Sequence, residues 1–237
     1  MSAVVCRVPV DWFSVPSVCF YDWQTLITGI AAVVVGGLTV RYLKKQINQA
    51  DRVAQEERSA RLTVARAKLM VPSSLLAEHA RICFDELRAF EPAVTQHTGP
   101  ANPLNIPHLP PNVEGALDAL LGGTQDRNAI FAVSAVYGEQ QVLGARASDM
   151  HLNPSAHALS LDYYYMQPII MHAIAISLLT YARYESDAVE PITWADMASS
   201  ARALAPAGAL RDRLLAFADD RSNRKIAIPF AIRRAGA

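Results

Sequence analysis

Residues 23–47 read WQTLITGIAAVVVGGLTVRYLKKQI. This stretch is either a membrane span or the buried helix of a soluble domain, and the fold turns on which. From Trp23 to Tyr42 there are 20 residues and one charge, Arg41. As a helix, that length covers about 30 Å, the thickness of a bilayer's hydrocarbon core. Leu26, Ile27, Ile30, Val33, Val34, Val35, Leu38 and Val40 together favour insertion by roughly 2.4–4.8 kcal/mol. Gln24, the threonines and the glycines offset part of that gain.

The flanks favour the span. Trp12, Phe13, Phe20, Tyr21 and Trp23 crowd the N-terminal side and Tyr42 sits at the other end. Such rings prefer the headgroup layer. After the apolar run come Arg41, Lys44, Lys45, Arg52, Arg58, Arg61, Arg66 and Lys68, against Asp51, Glu56 and Glu57. Before it the charges are Arg7, Asp11 and Asp22. Lys and Arg near a span stay in the cytoplasm, so the expected orientation is N-terminus outside and C-terminus inside the inner (plasma) membrane. A cleaved signal peptide fits poorly, because there is no basic n-region and RYLKK follows where a small-residue cleavage site would stand. One face of the span carries Thr28, Ala32 and Gly36 at four-residue spacing, a pattern that lets two helices approach closely and suggests a homo-oligomer through the span.

The rest of the chain reads as helical. Residues 41–70 lack Gly and Pro and are rich in strong helix formers, so one helix is expected from about 22 to 70, leaving the membrane as a stalk. Leu43, Ile47, Ala50 and Ala54 form a weak apolar stripe, continued loosely by Leu62, Ala65 and Leu69. Pro72 should kink or restart the helix. Leu76, Ala80, Cys83, Leu87 and Phe90 then fall on one face of a helix over about 73–90. Residues 91–112, EPAVTQHTGPANPLNIPHLPPN, argue for a long connection packed on the surface. Helices are expected near 112–121 and 125–150, the latter with Ile130, Val133, Tyr137, Leu143 and Ala147 on its apolar side.

A second apolar run, Tyr163 to Ala182, has no fixed charge over 20 residues. Gln167, Pro168, His172, Ser177 and Thr180 are spread through it, and no basic flank follows. It reads as the central core helix of a cytoplasmic domain, with a second span as the alternative. Thr193 and Asp196 suggest an N-cap for a helix presenting Trp194, Met197, Ala201 and Leu204, and Leu210, Leu214 and Phe217 mark a last stripe. The end carries Arg221, Arg224, Lys225, Arg233 and Arg234 around IAIPFAI, a basic and apolar tail suited to an anionic leaflet.

The expected organisation is therefore all-α. A short aromatic extracytoplasmic N-terminus (1–22) leads into a transmembrane helix (23–42) and a basic helical stalk (43–72). A helical bundle (73–220) with a Pro-rich loop at 91–112 and a basic tail (221–237) complete the chain.

The chemistry of the chain is sparse. Of 237 residues, 22 are Lys or Arg and 22 are Asp or Glu, which argues against nucleic acid as a partner. Hydrophobic residues make up 51%. Phosphate-loop, dinucleotide, nucleophile-elbow and zinc-protease motifs are absent from the sequence, and no cofactor is expected. Cys6, Cys19 and Cys83 match neither a disulfide framework nor a zinc spacing. With an outside N-terminus, Cys6 and Cys19 are expected oxidised. His79 and Cys83 share a helix face, but Cys83 already belongs to the apolar stripe. No catalytic, cofactor-binding or metal-ligating residue is assigned.

The segments WQTLITG…TVRYLKKQI, ARAKLMVPSSLLAEHA and LLTYARYES…PITWADM resemble uncharacterised bacterial proteins with one N-terminal span and a helical cytoplasmic domain. The resemblance implies the topology and carries no site residues. The functional expectation is a membrane-anchored interaction or scaffold protein, with membrane lipids and a cytoplasmic protein as partners. One alternative is an enzyme using Glu78, His79 and His172 inside the bundle. Another is a two-span channel-like or membrane-disrupting protein.

Overall fold

A computed structural model describes residues 17–95, 104–152 and 160–224. Among the described residues the chain is all-helical, with seven helices and no strand. They are α1 (Ser17–Lys68), α2 (Met70–Thr95), α3 (Pro111–Gly123), α4 (Arg127–Leu152), α5 (Leu161–Ala182), α6 (Trp194–Leu204) and α7 (Ala209–Asn223). The chain divides into two compact units, Met1–Glu57 and Arg58–Ala237.

In the first unit the apolar part of α1 is open on every side. Leu26, Ile27, Ile30, Val33, Val34, Val35, Leu38 and Val40 are all at least half exposed. The helix is long and apolar enough to cross a membrane. Two threonine hydroxyls within the apolar run bond back to the helix itself, Thr28 to the Gln24 carbonyl at 2.7 Å and Thr39 to the Val35 carbonyl at 2.8 Å. A hydroxyl satisfied in this way needs no water. The stripe of Leu43 and Ile47 also stays exposed.

The second unit begins within the stalk, at Arg58. There Ala65 and Leu69 are buried and Leu62 is packed on the core. The helix breaks at Leu69, one residue before α2 starts. Pro72 sits in the first turn of α2, where its missing N–H removes no helical bond, so it restarts the helix rather than bending it.

The core is α2 packed lengthwise on α5. Leu76, Ala80, Cys83, Leu87 and Phe90 of α2 are all buried, as their spacing predicts. The second apolar run is the interior of this bundle, with 72% of its apolar window buried. Leu161, Tyr165, Ile169, Ile170, Ile174 and Leu178 are buried on several faces, because α2, α4, α6 and α7 all pack against α5. Phe84 and Tyr165 meet with ring centroids 5.0 Å apart.

Two details differ from the sequence expectation. The segment 91–112 is not loop throughout: α2 continues to Thr95 with Pro92 inside it. Proline there removes one bond close to the helix end, where few remain. Residues 104–110 do run without regular structure, anchored by buried Leu104 and Leu109. On α4, Ile130 lies 38% exposed, and Ala129 takes the buried position one residue earlier.

Two helix starts are closed by side chains. Asp126 caps α4 through the Asn128 amide at 2.9 Å and holds the Val189 amide at 3.1 Å. Thr193 and Asp196 form a reciprocal capping box on α6. Gly208, at φ 141°, lies between α6 and α7 in a conformation that side chains resist.

Candidate functional site

The histidines of the sequence reading fall into separate environments. His79 is buried on α2, and its Nε2 lies 2.8 Å from Gln140 Oε1. Gln140 in turn donates from Nε2 to the Pro107 carbonyl at 2.7 Å. That second bond fixes the amide, so His79 Nε2 must be the donor to Oε1. The Cys83 sulfur lies 3.6 Å from the same nitrogen. A protonated nitrogen cannot take a thiol proton, so this pair is not an activated nucleophile. Burial lowers the His79 pKa and pushes the Cys83 thiol up to about 12, which points the same way. Glu78 is turned to the surface, where Arg81 binds it bidentately at 2.7 and 3.0 Å and holds its pKa down. His172 bonds through Nδ1 to Ser200 Oγ at 3.1 Å. Glu78, His79 and His172 therefore have three different partners. Among the described residues no three His, Cys, Asp or Glu side chains gather as a metal site.

The feature that sequence reasoning missed is an open cleft of about 370 Å³ between α4, α5, α6 and α7. Helical spacing builds it. Glu139, Val142 and Arg146 fall on one face of α4, and Tyr163, Gln167 and Ile170 on one face of α5. Trp194 and Met197 come from α6, Phe217 and Arg221 from α7. Exposure sorts these into floor and mouth. Glu139 (3% exposed), Ile170 and Met197 are buried, whereas Arg146 and Tyr163 are exposed.

The floor is polar. Burial raises the Glu139 pKa to about 7, with Arg146 opposing the rise. Gln167 Oε1 is buried and has no hydrogen-bond partner. Such groups are few in folded proteins, because each left unpaired is unfavourable by about 1–3 kcal/mol. The mouth is cationic and aromatic. Arg146 lies 5.2 Å over the Tyr164 ring and bonds its hydroxyl at 3.3 Å. Arg221 lies over Tyr163 and Phe217, at 5.1 and 5.0 Å, and donates to the Tyr163 hydroxyl.

A second cleft of about 330 Å³ contains the His172–Ser200 pair with Ser177, Thr180, Glu190 and Asp196. Its polar groups are mostly engaged. Asp196 holds the α6 cap, and Ser177 donates to the Glu190 carbonyl at 3.1 Å. Ser200 is buried.

Of the remaining residues singled out from sequence, Thr28, Ala32 and Gly36 lie on the exposed surface of α1, and nothing lies within 4 Å of where a Gly36 Cβ would be. Arg221 belongs to α7 and the cleft mouth, and Arg224, the α7 C-cap, pairs with Asp220 at 2.8 Å. Lys225, Arg233 and Arg234 lie outside the described residues, as does Cys6. Comparison with protein-family models, curated proteins and solved structures returns no match. The class defined by the fold is thus an all-α bundle joined to an N-terminal helix long and apolar enough to span a membrane.

Proposed function

We propose that the protein is a single-pass inner (plasma) membrane protein, with its N-terminus outside and its helical bundle anchored at the cytoplasmic face as an interaction module. The observation that carries this reading is the contrast between the two apolar helices. The apolar window of α1 is wholly exposed, whereas that of α5 is 72% buried inside the bundle. An uncovered apolar surface around two or more turns requires lipid or another protein around it. The bundle needs no lipid for its own core, since α5 is already covered by protein. The basic residues after the span orient it, and the Lys225, Arg233 and Arg234 tail adds attraction to the anionic inner leaflet. The partners of this reading are membrane lipids, a second copy along the Thr28–Ala32–Gly36 face, and a cytoplasmic protein.

Membrane-impermeant maleimide labelling of intact, mildly reduced cells tests it. Cys83 is a poor reporter because it is buried and its thiol stays protonated. A reporter is therefore introduced as Ser222→Cys on exposed α7. Labelling of Cys6 and Cys19 but not of position 222, with the protein in the membrane fraction, is expected. Labelling of position 222 alone reverses the orientation. Recovery in the soluble fraction removes the anchor.

A further inference from the structure

The cleft between α4, α5, α6 and α7 has a polar floor, apolar walls and a cationic mouth. Each part restricts what can fill it. Water alone fits poorly against walls made of Val142, Met166, Ile170, Trp194 and Met197, because a water needs two to four polar partners. The volume of about 370 Å³ lies within the range of small-molecule sites.

The floor selects the polarity of the inner end. An amide oxygen accepts, and the Glu139 carboxyl keeps acceptor capacity in either protonation state, so a donor satisfies both. Gln167 lines the cleft, and its Oε1 is buried without a hydrogen-bond partner. The mouth selects the outer end. Arg146 and Arg221 come from different helices and both line the cleft, each with its guanidinium over an aromatic ring. Rings hold a guanidinium in place without neutralising it, which leaves its positive field for an anion. Glu139 and Arg146 are seven residues apart on one helix, which is about 10 Å along its axis.

We infer that this cleft binds a small anionic amphiphile, with an N–H or O–H donor at the Glu139–Gln167 floor, a flat apolar body along α5, and its anionic group between Arg146 and Arg221. The site belongs to the bundle alone and does not depend on whether α1 crosses a membrane. Occupancy gives the polar floor a hydrogen-bonding partner and buries apolar surface of α5 and α6. A bound ligand therefore stabilises the bundle by mass action.

The probe is indole-3-butyrate, which has one N–H donor, a flat bicyclic body and a carboxylate. The full chain in phosphatidylcholine nanodiscs is titrated by calorimetry, with empty nanodiscs as the blank. Saturable binding with one molecule per chain is expected. Two analogues each remove one feature. 1-Naphthalenebutyrate lacks the N–H and should bind about tenfold weaker or worse, since it leaves the floor unpaired. The methyl ester of indole-3-butyrate lacks the charge and should also bind about tenfold weaker. Val142→Trp, from a half-buried position on the wall, should abolish binding while the melting transition remains. Arg146→Glu, at an exposed position, should weaken the acid but leave the ester unchanged while the melting transition remains. The inference is overturned if no saturable heat above the blank is seen for indole-3-butyrate. It is equally overturned if a folded Val142→Trp variant binds like the wild type, or if all three compounds bind alike.

Discussion

Arg66 donates from Nε to the backbone carbonyl of Tyr181, 115 residues further along the chain, at 2.7 Å. Its Nη2 donates to the Ser186 carbonyl at 2.5 Å. The guanidinium also lies over two rings, 4.2 Å from the centre of Tyr181 and 3.9 Å from that of Tyr184. α5 has no basic residue in its last turn, so the final residues of α1 supply the cation that its C-terminal carbonyls favour. Tyr184 holds a φ of 62°, unusual for a bulky side chain, in the turn that Arg66 covers.

Arg66→Ala removes two charged hydrogen bonds and two cation–ring contacts. A loss of about 2–4 kcal/mol in unfolding free energy is expected, read by urea titration on the Trp194 emission of the bundle. Arg66→Lys should recover less than half, because an ammonium lacks the planar fork that reaches both carbonyls. A change under about 0.5 kcal/mol for Arg66→Ala would show the contact to be idle.

Gly123 and Gly122 are adjacent on α3 and should respond oppositely to alanine. A Cβ on Gly123 would stand 3.3 Å from both Cα and N of Leu62, against backbone that cannot swing away. A Cβ on Gly122 meets nothing within 4 Å. Gly123→Ala should destabilise by about 1–3 kcal/mol through overpacking. Gly122→Ala should stabilise by up to about 1 kcal/mol through helix propensity. Thermal melts of the two variants side by side decide whether this approach of α3 to α1 is as close as described.

Glu139 gives a stability term that runs against the usual carboxylate trend. Its pKa is raised to about 7, first by burial, with Arg146 acting in the other direction. Between about pH 4.5 and 7 the folded state therefore holds a proton that the unfolded state has released. Stability falls as pH rises through that window, and the penalty is complete above it. Glu139→Gln should accordingly stabilise the bundle at pH 8 by an amount on the order of 3 kcal/mol, and by nothing at pH 4. Denaturation curves at pH 4, 6 and 8 test this; a gain independent of pH would mean that the carboxyl is not the titrating group.

Tyr165 and Arg213 both reach Glu91, and burial decides which contact matters more. The buried Tyr165 hydroxyl donates to Glu91 Oε2 at 2.9 Å, and Arg213 binds Glu91 Oε1 at 2.8 Å and Asp162 at 2.6 Å near the surface. Tyr165→Phe should lose about 1.5–3 kcal/mol, the worth of a hydrogen bond to a charged group. Arg213→Ala, whose side chain is 43% exposed, should lose less than about 1 kcal/mol and less still in 0.5 M salt. Equal losses would contradict that ranking.

The cleft shows why a site can escape a sequence reading. Glu139, Gln167, Trp194 and Arg221 come from four helices, and no spacing along the chain relates them. Gln167 could be noticed as an oddity in an apolar run, but only packing leaves its Oε1 without a partner. Arg221 illustrates the opposite error of emphasis. Grouped by composition it joins a basic tail, whereas helix periodicity from Phe217 places it one turn on, over the rings of Tyr163 and Phe217.

Local pattern sufficed wherever the cause was local. The apolar length of 23–42, the restart at Pro72, the buried stripe from Leu76 to Phe90 and the Thr193–Asp196 cap each depend on residues within a few turns of one another. Propensity, capping and helical period act at that range, so the all-α class and most helix limits were legible in the chain. Which of two similar apolar helices is open and which is enclosed was decided by tertiary structure. α5 is a core because α2, α4, α6 and α7 cover it, and the apolar half of α1 has no such cover. The partner of Arg66 and the convergence of the cleft were decided in the same way, since both join residues that only packing brings within reach.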